Sequence, residues 1–444
     1  MIENFVLNVH HSPPPVWLVL PFALLLLLIA AGPVLFQNFW HHHYKKIAVV
    51  VGFTVACYYV FGRNESILVA ETFAEYISFI SLLLSLFVAA GGIYIFVDVE
   101  SKAFTNIVFL LLGALLTNLI GTTGASILLI RPFMRINRYR LKTYHIVFFI
   151  FFVSNLGGLL TPIGDPPLFM GFLKGVPFFW TLSHLWLKWT VAMVLLSVVF
   201  YILEKRNTTL DDIDVSEHYT RRIIIAGRQN FIWLGLIILT VFIDPNVIEG
   251  VPFIDMHGKK VSFIREILQL SIAAMAYLKA NKKAMKSNAF DFEPIKEVAF
   301  LFFGIFLSMI PALQLLESLG SSGNEALSVN VIYWATGAFS SMLDNAPTYL
   351  NFFALTMSMF GYSVGNIEDV RQFLTSENVV YLEAISVSAV FFGALTYIGN
   401  GPNFMVKAIA EHTGVKMPGF FPFIFKYTIP YLLPILFIIW LIFF

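Results

Sequence analysis

Two aspartates and a set of amides and hydroxyls stand inside otherwise apolar runs, and chemistry would be done there. Asp165 lies in Thr161-Pro-Ile-Gly-Asp-Pro-Pro-Leu-Phe-Met170, and Asp344 in Asp344-Asn-Ala-Pro347. The first stretch returns 235 positions later as Thr396-Tyr-Ile-Gly-Asn-Gly-Pro-Asn-Phe-Met405, with six of ten residues identical. An ionisable group at membrane depth is costly and marks function by default. Asp165 precedes Pro166, which forces extended backbone and leaves the carboxylate free to turn toward a ligand or to cap the half-helix that follows. Pro167 and Pro402 carry no N–H, so they free the carbonyls of Ile163 and Ile398. Open backbone oxygens are tolerated in a membrane only where they line a cavity or bind something. Asn118, Thr122, Thr123, Asn155, Thr161, Asn345, Thr396, Asn400 and Asn403 complete an oxygen-rich set without Arg or Lys. Such a set suits a hard cation. An anion would more naturally meet Arg, Lys or a helix N-terminus, although amides and hydroxyls also serve a carboxylate. The expectation is sodium at Asp165, Asn118, Asp344 and Asn400, with protons carried by Asp165 and Asp344.

The elements that must position these residues are membrane helices. Of 444 residues, 58% are hydrophobic and only 12% charged, a composition that places the chain among all-α polytopic membrane proteins. A net charge of +1 gives no footing for a nucleic-acid partner, and the single cysteine, Cys57, excludes a disulfide framework or a cysteine zinc site. The apolar run after residues 1–12 reads as a retained span, because no basic residue or cleavage site precedes it. About ten spans are expected, at 15–36, 46–61, 75–97, 143–173, 181–203, 231–243, 262–280, 298–319, 378–411 and 420–443. Those at 143–173 and 378–411 are broken helices, interrupted at the two echoing stretches. The windows 104–130 and 328–360 carry polar centres, Asn118-Leu-Ile-Gly-Thr-Thr-Gly124 and Asp344-Asn-Ala-Pro347, and read as re-entrant hairpins. Leu116-Thr117-Asn118 and Leu343-Asp344-Asn345 suggest that the tips correspond at an offset of 227 residues.

Charge supports the hairpins. With both termini outside, 21 of the 28 basic residues fall inside, leaving Arg63, Lys174, Lys188, Lys259, Lys260, Arg265 and Arg371. A first window that crossed fully would put Arg131, Arg135, Arg138, Arg140 and Lys142 opposite Lys45 and Lys46, against the positive-inside rule. The layout is then an inverted-topology repeat: 1–203, a cytoplasmic linker at 204–230, and 231–444. The linker holds Asp211, Asp212, Asp214 and Glu217 and reads as a solvated loop. His41-His42-His43 is an interface anchor ahead of a metal site, and His145 stands beside the basic cluster as a candidate pH sensor.

Asn155-Leu-Gly-Gly-Leu-Leu-Thr-Pro-Ile-Gly-Asp165 resembles the Gly-Gly…Ser-Pro-Phe-Gly-Asp run of NhaD-type sodium/proton antiporters. Asn118-x-x-Gly-Thr-Thr-Gly-Ala-Ser126, Asp344-Asn345 and Gly399-Asn-Gly-Pro402 are similar to the hairpin tips and broken helices of the ion transporter superfamily, which includes a citrate-transporter branch. Antiporters of this type carry Asp-Asn at the first tip, whereas here Thr117-Asn118 stands there and Asp-Asn is at the second. Carboxylate carriers show Ser-Asn-Thr at both tips, a pattern missing here. The resemblance implies sodium/proton antiport across a bacterial inner membrane by an elevator-like mechanism, in a homodimer of scaffold and transport domains. The alternative it implies is a sodium- or proton-coupled citrate or dicarboxylate carrier. Membrane lipid, sodium ion, proton and a small carboxylate are the partners to consider, with no further cofactor. An intramembrane aspartyl hydrolase fails on its signature, since Pro162 occupies the first Gly position of Gly-x-Gly-Asp.

Overall fold

The computed structural model describes residues 13–207, 219–245, 248, 250–256, 259–320 and 326–444. The acidic linker residues Asp211, Asp212, Asp214 and Glu217, and residues 1–12, lie outside the described residues. The chain is an all-α membrane protein. Among the described residues eight helices are long and apolar enough to cross a bilayer, or nine if the bent pair Ile367–Thr375 and Val379–Leu395 counts as one.

The helices follow in the order α1 (Leu20–Leu35), α2 (Gln37–Cys57), α3 (Ser66–Gly91), α4 (Ala103–Ile136), α5 (Thr143–Phe152), α6 (Pro166–Leu173) and α7 (Trp180–Lys205). Then come α8 (Gln229–Thr240), α9 (Ile264–Leu278), α10 (Lys282–Ser287), α11 (Glu293–Gly320), α12 (Val329–Met342) and α13 (Asn345–Met359). The chain closes with α14 (Ile367–Thr375), α15 (Val379–Phe392), α16 (Gly401–His412) and α17 (Phe420–Phe443), the last containing π-helical turns at Ile424–Leu432. Short antiparallel strands, β1 (Tyr94–Asp98) with β2 (Arg222–Ala226) and β3 (Ile254–Met256) with β4 (Lys259–Val261), lie in the connections between helices.

Every expected span contains helix, but the one at 75–97 leaves its helix at Gly91 and ends in strand β1, and two others are short. Helix α8 has 12 residues and α9 has 15, below the roughly 20 that a straight span needs. The limits of α8 have local causes. Gly227, at φ 76°, turns the chain into α8, and Pro245 holds Asp244 out of helical geometry beyond its end.

Both polar-centred windows are helical hairpins. In α4 the helix reverses at Gly121, whose φ of 77° and ψ of 158° are not helical. The Phe109 and Phe133 rings stack at 5.5 Å, whereas a straight helix would separate residues 24 apart by about 36 Å. Asn106 and Asn137 close the open end with side-chain bonds of 2.8 and 2.9 Å. The second arm runs on to Ile136, beyond the expected limit at 130, so Arg131 and Arg135 belong to the hairpin itself. The second hairpin, α12 and α13, turns at Leu343–Asp344, with the Phe339 and Phe352 rings in tilted contact at 5.8 Å.

Packing separates two groups of helices. Helix α2 crosses α11 where Gly52 meets Gly304; a methyl on Gly304 would lie 2.6 Å from the Ala48 carbonyl. Small residues let helices approach closely where apolar burial cannot drive association. Helices α3, α8 and α9 join this group. The second group is built around α5, whose residues Ile146–Val153 have no exposed surface. A helix apolar on all sides must be surrounded by protein or lipid, and here α4, α7, α16 and the hydrogen-bonded breaks surround it.

Candidate functional site

The broken spans and hairpin tips are fastened to each other by bonds that recur in both halves. Thr161 Oγ1 donates to the Asn118 carbonyl at 2.6 Å, and Thr396 Oγ1 donates to the Ser341 carbonyl at 2.6 Å. Each hydroxyl in turn accepts a backbone N–H, from Gly164 and from Gly399. Thr181 and Thr428 each donate, at 2.9 Å, to the carbonyl just before the break, Leu160 and Leu395. Thr117 and Ser340 donate to the Val153 and Ala389 carbonyls. Close backbone approach makes glycine obligatory here: a methyl on Gly164 would lie 2.2 Å from the Gly158 carbonyl, and one on Gly399 would lie 2.7 Å from that of Gly393.

These pairs set the correspondence of the tips. Thr117 matches Ser340, Asn118 matches Ser341, and the reversal at Gly121 matches Asp344, an offset of 223 residues and not the expected 227. The expected offset followed a shared Asn, whereas the fold aligns the points of reversal. Thr122 therefore corresponds to Asn345, and both head the second arm of their hairpin.

Asp165 sits where all four segments meet and has no exposed surface. Thr122 Oγ1 donates to its Oδ1 at 2.9 Å, Asn400 Nδ2 to its Oδ1 at 3.0 Å, and Asn345 Nδ2 to its Oδ2 at 2.6 Å. Each donor is neutral and almost fully buried. Asp165 holds the N-cap position of α6 but its side chain makes no capping bond. Asp344 does cap: its Oδ1 accepts the Ala346 N–H at 3.0 Å, and the residue is half-buried beside Asn345. Two carboxylates expected to play one role thus have different partners.

The other expected residues divide by what their atoms do. The Asn118 amide is spent on backbone, donating to the Ala114 and Gly157 carbonyls and accepting from Leu160 N–H. Asn403 ties its own break, donating to the Gly393 and Thr396 carbonyls. It also accepts from Asn155 Nδ2 at 2.6 Å, which joins the two broken spans. Thr123 is half-buried and makes no bond to Asp165. The Ile163 and Ile398 carbonyls accept no hydrogen bond among the described residues, because Pro167 and Pro402 stand where the donors would be.

Oxygens without partners gather beside Asp165. Asn155 Oδ1 and Asn345 Oδ1 are buried and accept no bond among the described residues. A methyl on Gly393 would lie 3.2 Å from Asn155 Oδ1, 3.4 Å from the Gly399 carbonyl and 3.5 Å from Asn345 Nδ2, so these groups line one small space. An unpaired buried acceptor carries a desolvation penalty, which a cation at that point would relieve. Ser154 escaped the sequence reading, and Ser126 entered it only as the end of the tip motif. Ser154 accepts from Asn400 Nδ2 at 3.1 Å through its carbonyl, and its hydroxyl pairs with Ser126 Oγ at 2.8 Å. A serine in an apolar helix gives no signal by itself; only the adjacency of Ser154 to Asn155 marked the place.

The remaining flagged groups lie elsewhere. His42 and His43 bond their own helix backbone on exposed faces. His145 Nδ1 accepts the Lys142 N–H and so caps α5, while Nε2 stands 2.9 Å from the buried Glu204 carboxylate, which also meets Arg140 and Tyr144.

A family model described as "Putative citrate transport" matches residues 11–444. The chain is also similar to a "46 kDa membrane protein" of Mycobacterium leprae (strain TN), at 24% identity over 282 residues. That alignment covers 60% of this chain and 59% of the relative, so it spans less than two thirds of that protein's length.

Proposed function

The chain belongs to the family described as "Putative citrate transport", and from that membership and the surroundings of Asp165 we propose a secondary active transporter that exchanges sodium for protons. The observation that carries this reading is one fully buried carboxylate held only by neutral donors, with unpaired amide oxygens beside it. Removal from water disfavours a bare charge, so a proton or a sodium ion must neutralise Asp165. The two compete for the same oxygens. Sodium entry expels the proton and proton entry releases sodium, which drives antiport when the loaded site faces each side in turn.

The arrangement of the site supports further parts of the proposal. The matched bonds of the two breaks fit two inverted repeats, 1–203 and 231–444, with the hairpins re-entrant from opposite sides. The hairpins, broken spans and α7 would then move as one elevator-like unit against a scaffold of α1–α3 and α8–α11, in a homodimer in the bacterial inner membrane with both termini outside. In this reading Asp344, fixed as a cap, biases the site electrostatically and is the second candidate proton carrier.

The family's description favours a second reading, a citrate or dicarboxylate carrier coupled to sodium or protons. One experiment separates them. Proteoliposomes of the purified chain are given an inward sodium gradient while internal pH is followed, and in parallel are offered labelled citrate. Sodium-driven proton efflux without citrate uptake supports antiport; citrate accumulation that requires sodium or a pH gradient moves the carboxylate carrier ahead.

A further inference from the structure

The buried and half-buried basic side chains of this protein come with carboxylates. Arg63 pairs with Glu65, Arg138 with Asp98, Arg140 with Glu204, Lys174 with Glu75, Lys188 with Glu383, and Arg265 with Asp244 and Glu266. Arg131 breaks the pattern. It is half-buried in the second arm of α4, its Nη1 has no exposed surface, and that nitrogen has no hydrogen-bond partner among the described residues. Among those residues no carboxylate pairs with it: its own helix carries no acid, and Asp98 and Glu204 are held by Arg138 and Arg140. A charge taken from water is retained only when paired or bonded, and the pairing fails here at a single point.

The location indicates what is missing. One turn earlier on the same face, Ile127 packs against Phe87, Val88, Ala273 and Ile295 of α3, α9 and α11. Higher still, a methyl on Gly124 would touch the Ala90 side chain at 3.6 Å. One turn later, Arg135 lays its guanidinium 4.4 Å over the Phe96 ring. Arg131 therefore faces the seam between the first hairpin and the α3 group, toward the hairpin's open end, with a second guanidinium one turn below. The nearby acid Asp98 is already engaged by Arg138 and by the Thr220 hydroxyl and N–H. Two guanidiniums on one helical face, neither bonded to an acid among the described residues, present flat bidentate donors.

We propose that Arg131, supported by Arg135, forms an oxyanion site in which a carboxylate or phosphate group seats between the first hairpin and the α3 group. This site is separate from Asp165 and does not depend on the exchange reading. The same chemistry is offered by a lipid phosphate and by a free anion, and the test separates these sources. The purified full-length chain is melted in detergent in rising concentrations of inorganic phosphate or citrate, against chloride at matched ionic strength. It is also melted in vesicles of phosphatidylcholine alone and of phosphatidylcholine with phosphatidylglycerol.

For a free anion, the wild type gains a saturable rise in Tm that Arg131→Gln shows only at about tenfold or more higher concentration, the loss of one charge-assisted pair. For a lipid phosphate, the rise comes with phosphatidylglycerol, soluble anions add nothing, and Arg131→Gln abolishes it. Should Arg131→Gln not fold, Arg131→Lys, which keeps the charge but not the fork, should show a smaller loss of the same kind. A wild type that responds to none of these anions, or Arg131 variants whose responses match the wild type, would overturn the proposal.

Discussion

Replacing Asn400 with alanine removes two bonds, one of them to the Asp165 carboxylate. In the wild type its Nδ2 donates to Asp165 Oδ1 at 3.0 Å and to the Ser154 carbonyl at 3.1 Å. Thr122 and Asn345 remain as donors in Asn400→Ala, so the carboxylate keeps two of its three bonds. A hydrogen bond to a charged group contributes about 1.5–3 kcal/mol. That stabilisation acts on the ionised form, which is the form that the proposed exchange requires for sodium. Its loss tilts the competition toward the proton, and the apparent KM for sodium should rise about tenfold to 150-fold at fixed pH, at ~1.4 kcal/mol per decade. Raising the pH should recover part of the loss, while the rate at saturating sodium changes little. The orphaned Ser154 carbonyl should cost about 1 kcal/mol of stability in addition. The assay is sodium titration of proton efflux from proteoliposomes at two pH values. An unchanged sodium KM in a folded Asn400→Ala protein would refute the view that Asn400 acts through Asp165.

Further outcomes test the frame around the site. Gly164→Ala forces a methyl to 2.2 Å from the Gly158 carbonyl and should destabilise the protein by about 3 kcal/mol or more, whereas Gly235→Ala, which meets nothing in the interior of α8, should keep or slightly raise the melting temperature. Asp98, outside the spans, loses solvation on burial, but hydrogen bonds from Thr220 and the Arg138 guanidinium outweigh this and hold its pKa at about 2. Its contribution to stability is thus fully present above its unfolded pKa of about 3.9 and is lost as pH falls through about 2. Acid melting curves of Asp98→Asn should lose that part of the pH dependence and start from a lower Tm at neutral pH. A cysteine at the exposed Tyr139, in a Cys57→Ser background, should be labelled by an impermeant reagent only from the cytoplasmic side; labelling from outside would remove the first re-entrant hairpin and the inverted repeat with it.

Much of the fold was legible because membrane helices advertise themselves by apolar length and by interruption. The echo at Thr161–Met170 and Thr396–Met405 marked both breaks, and Pro167 and Pro402 identified the two carbonyls that remain without donors. Hairpin limits and tip register were less legible. Arg131 and Arg135 looked like the end of an apolar window, yet they continue the helix, because a long side chain at the seam of a hairpin leaves the backbone unaffected. The tip register slipped by four residues because Asn118 and Asn345 are the same residue type with different partners. Asn118 fastens backbone, and Asn345 reaches Asp165. Which amide meets the carboxylate and which holds the chain depends on three-dimensional approach, and spacing along the sequence does not encode it. The linker acids lie outside the described residues, so their solvated-loop reading stands as an expectation.

Asp165 is proposed as the group on which proton and sodium alternate, and Asp165→Asn tests that role most directly. Asparagine keeps nearly the same volume and one oxygen within reach of Thr122, Asn345 and Asn400, but it cannot exchange a proton. In proteoliposomes with an imposed sodium gradient, Asp165→Asn should show no sodium-dependent change of internal pH while its melting temperature confirms a folded protein. Antiport with wild-type rate and pH dependence in that variant would contradict the assignment.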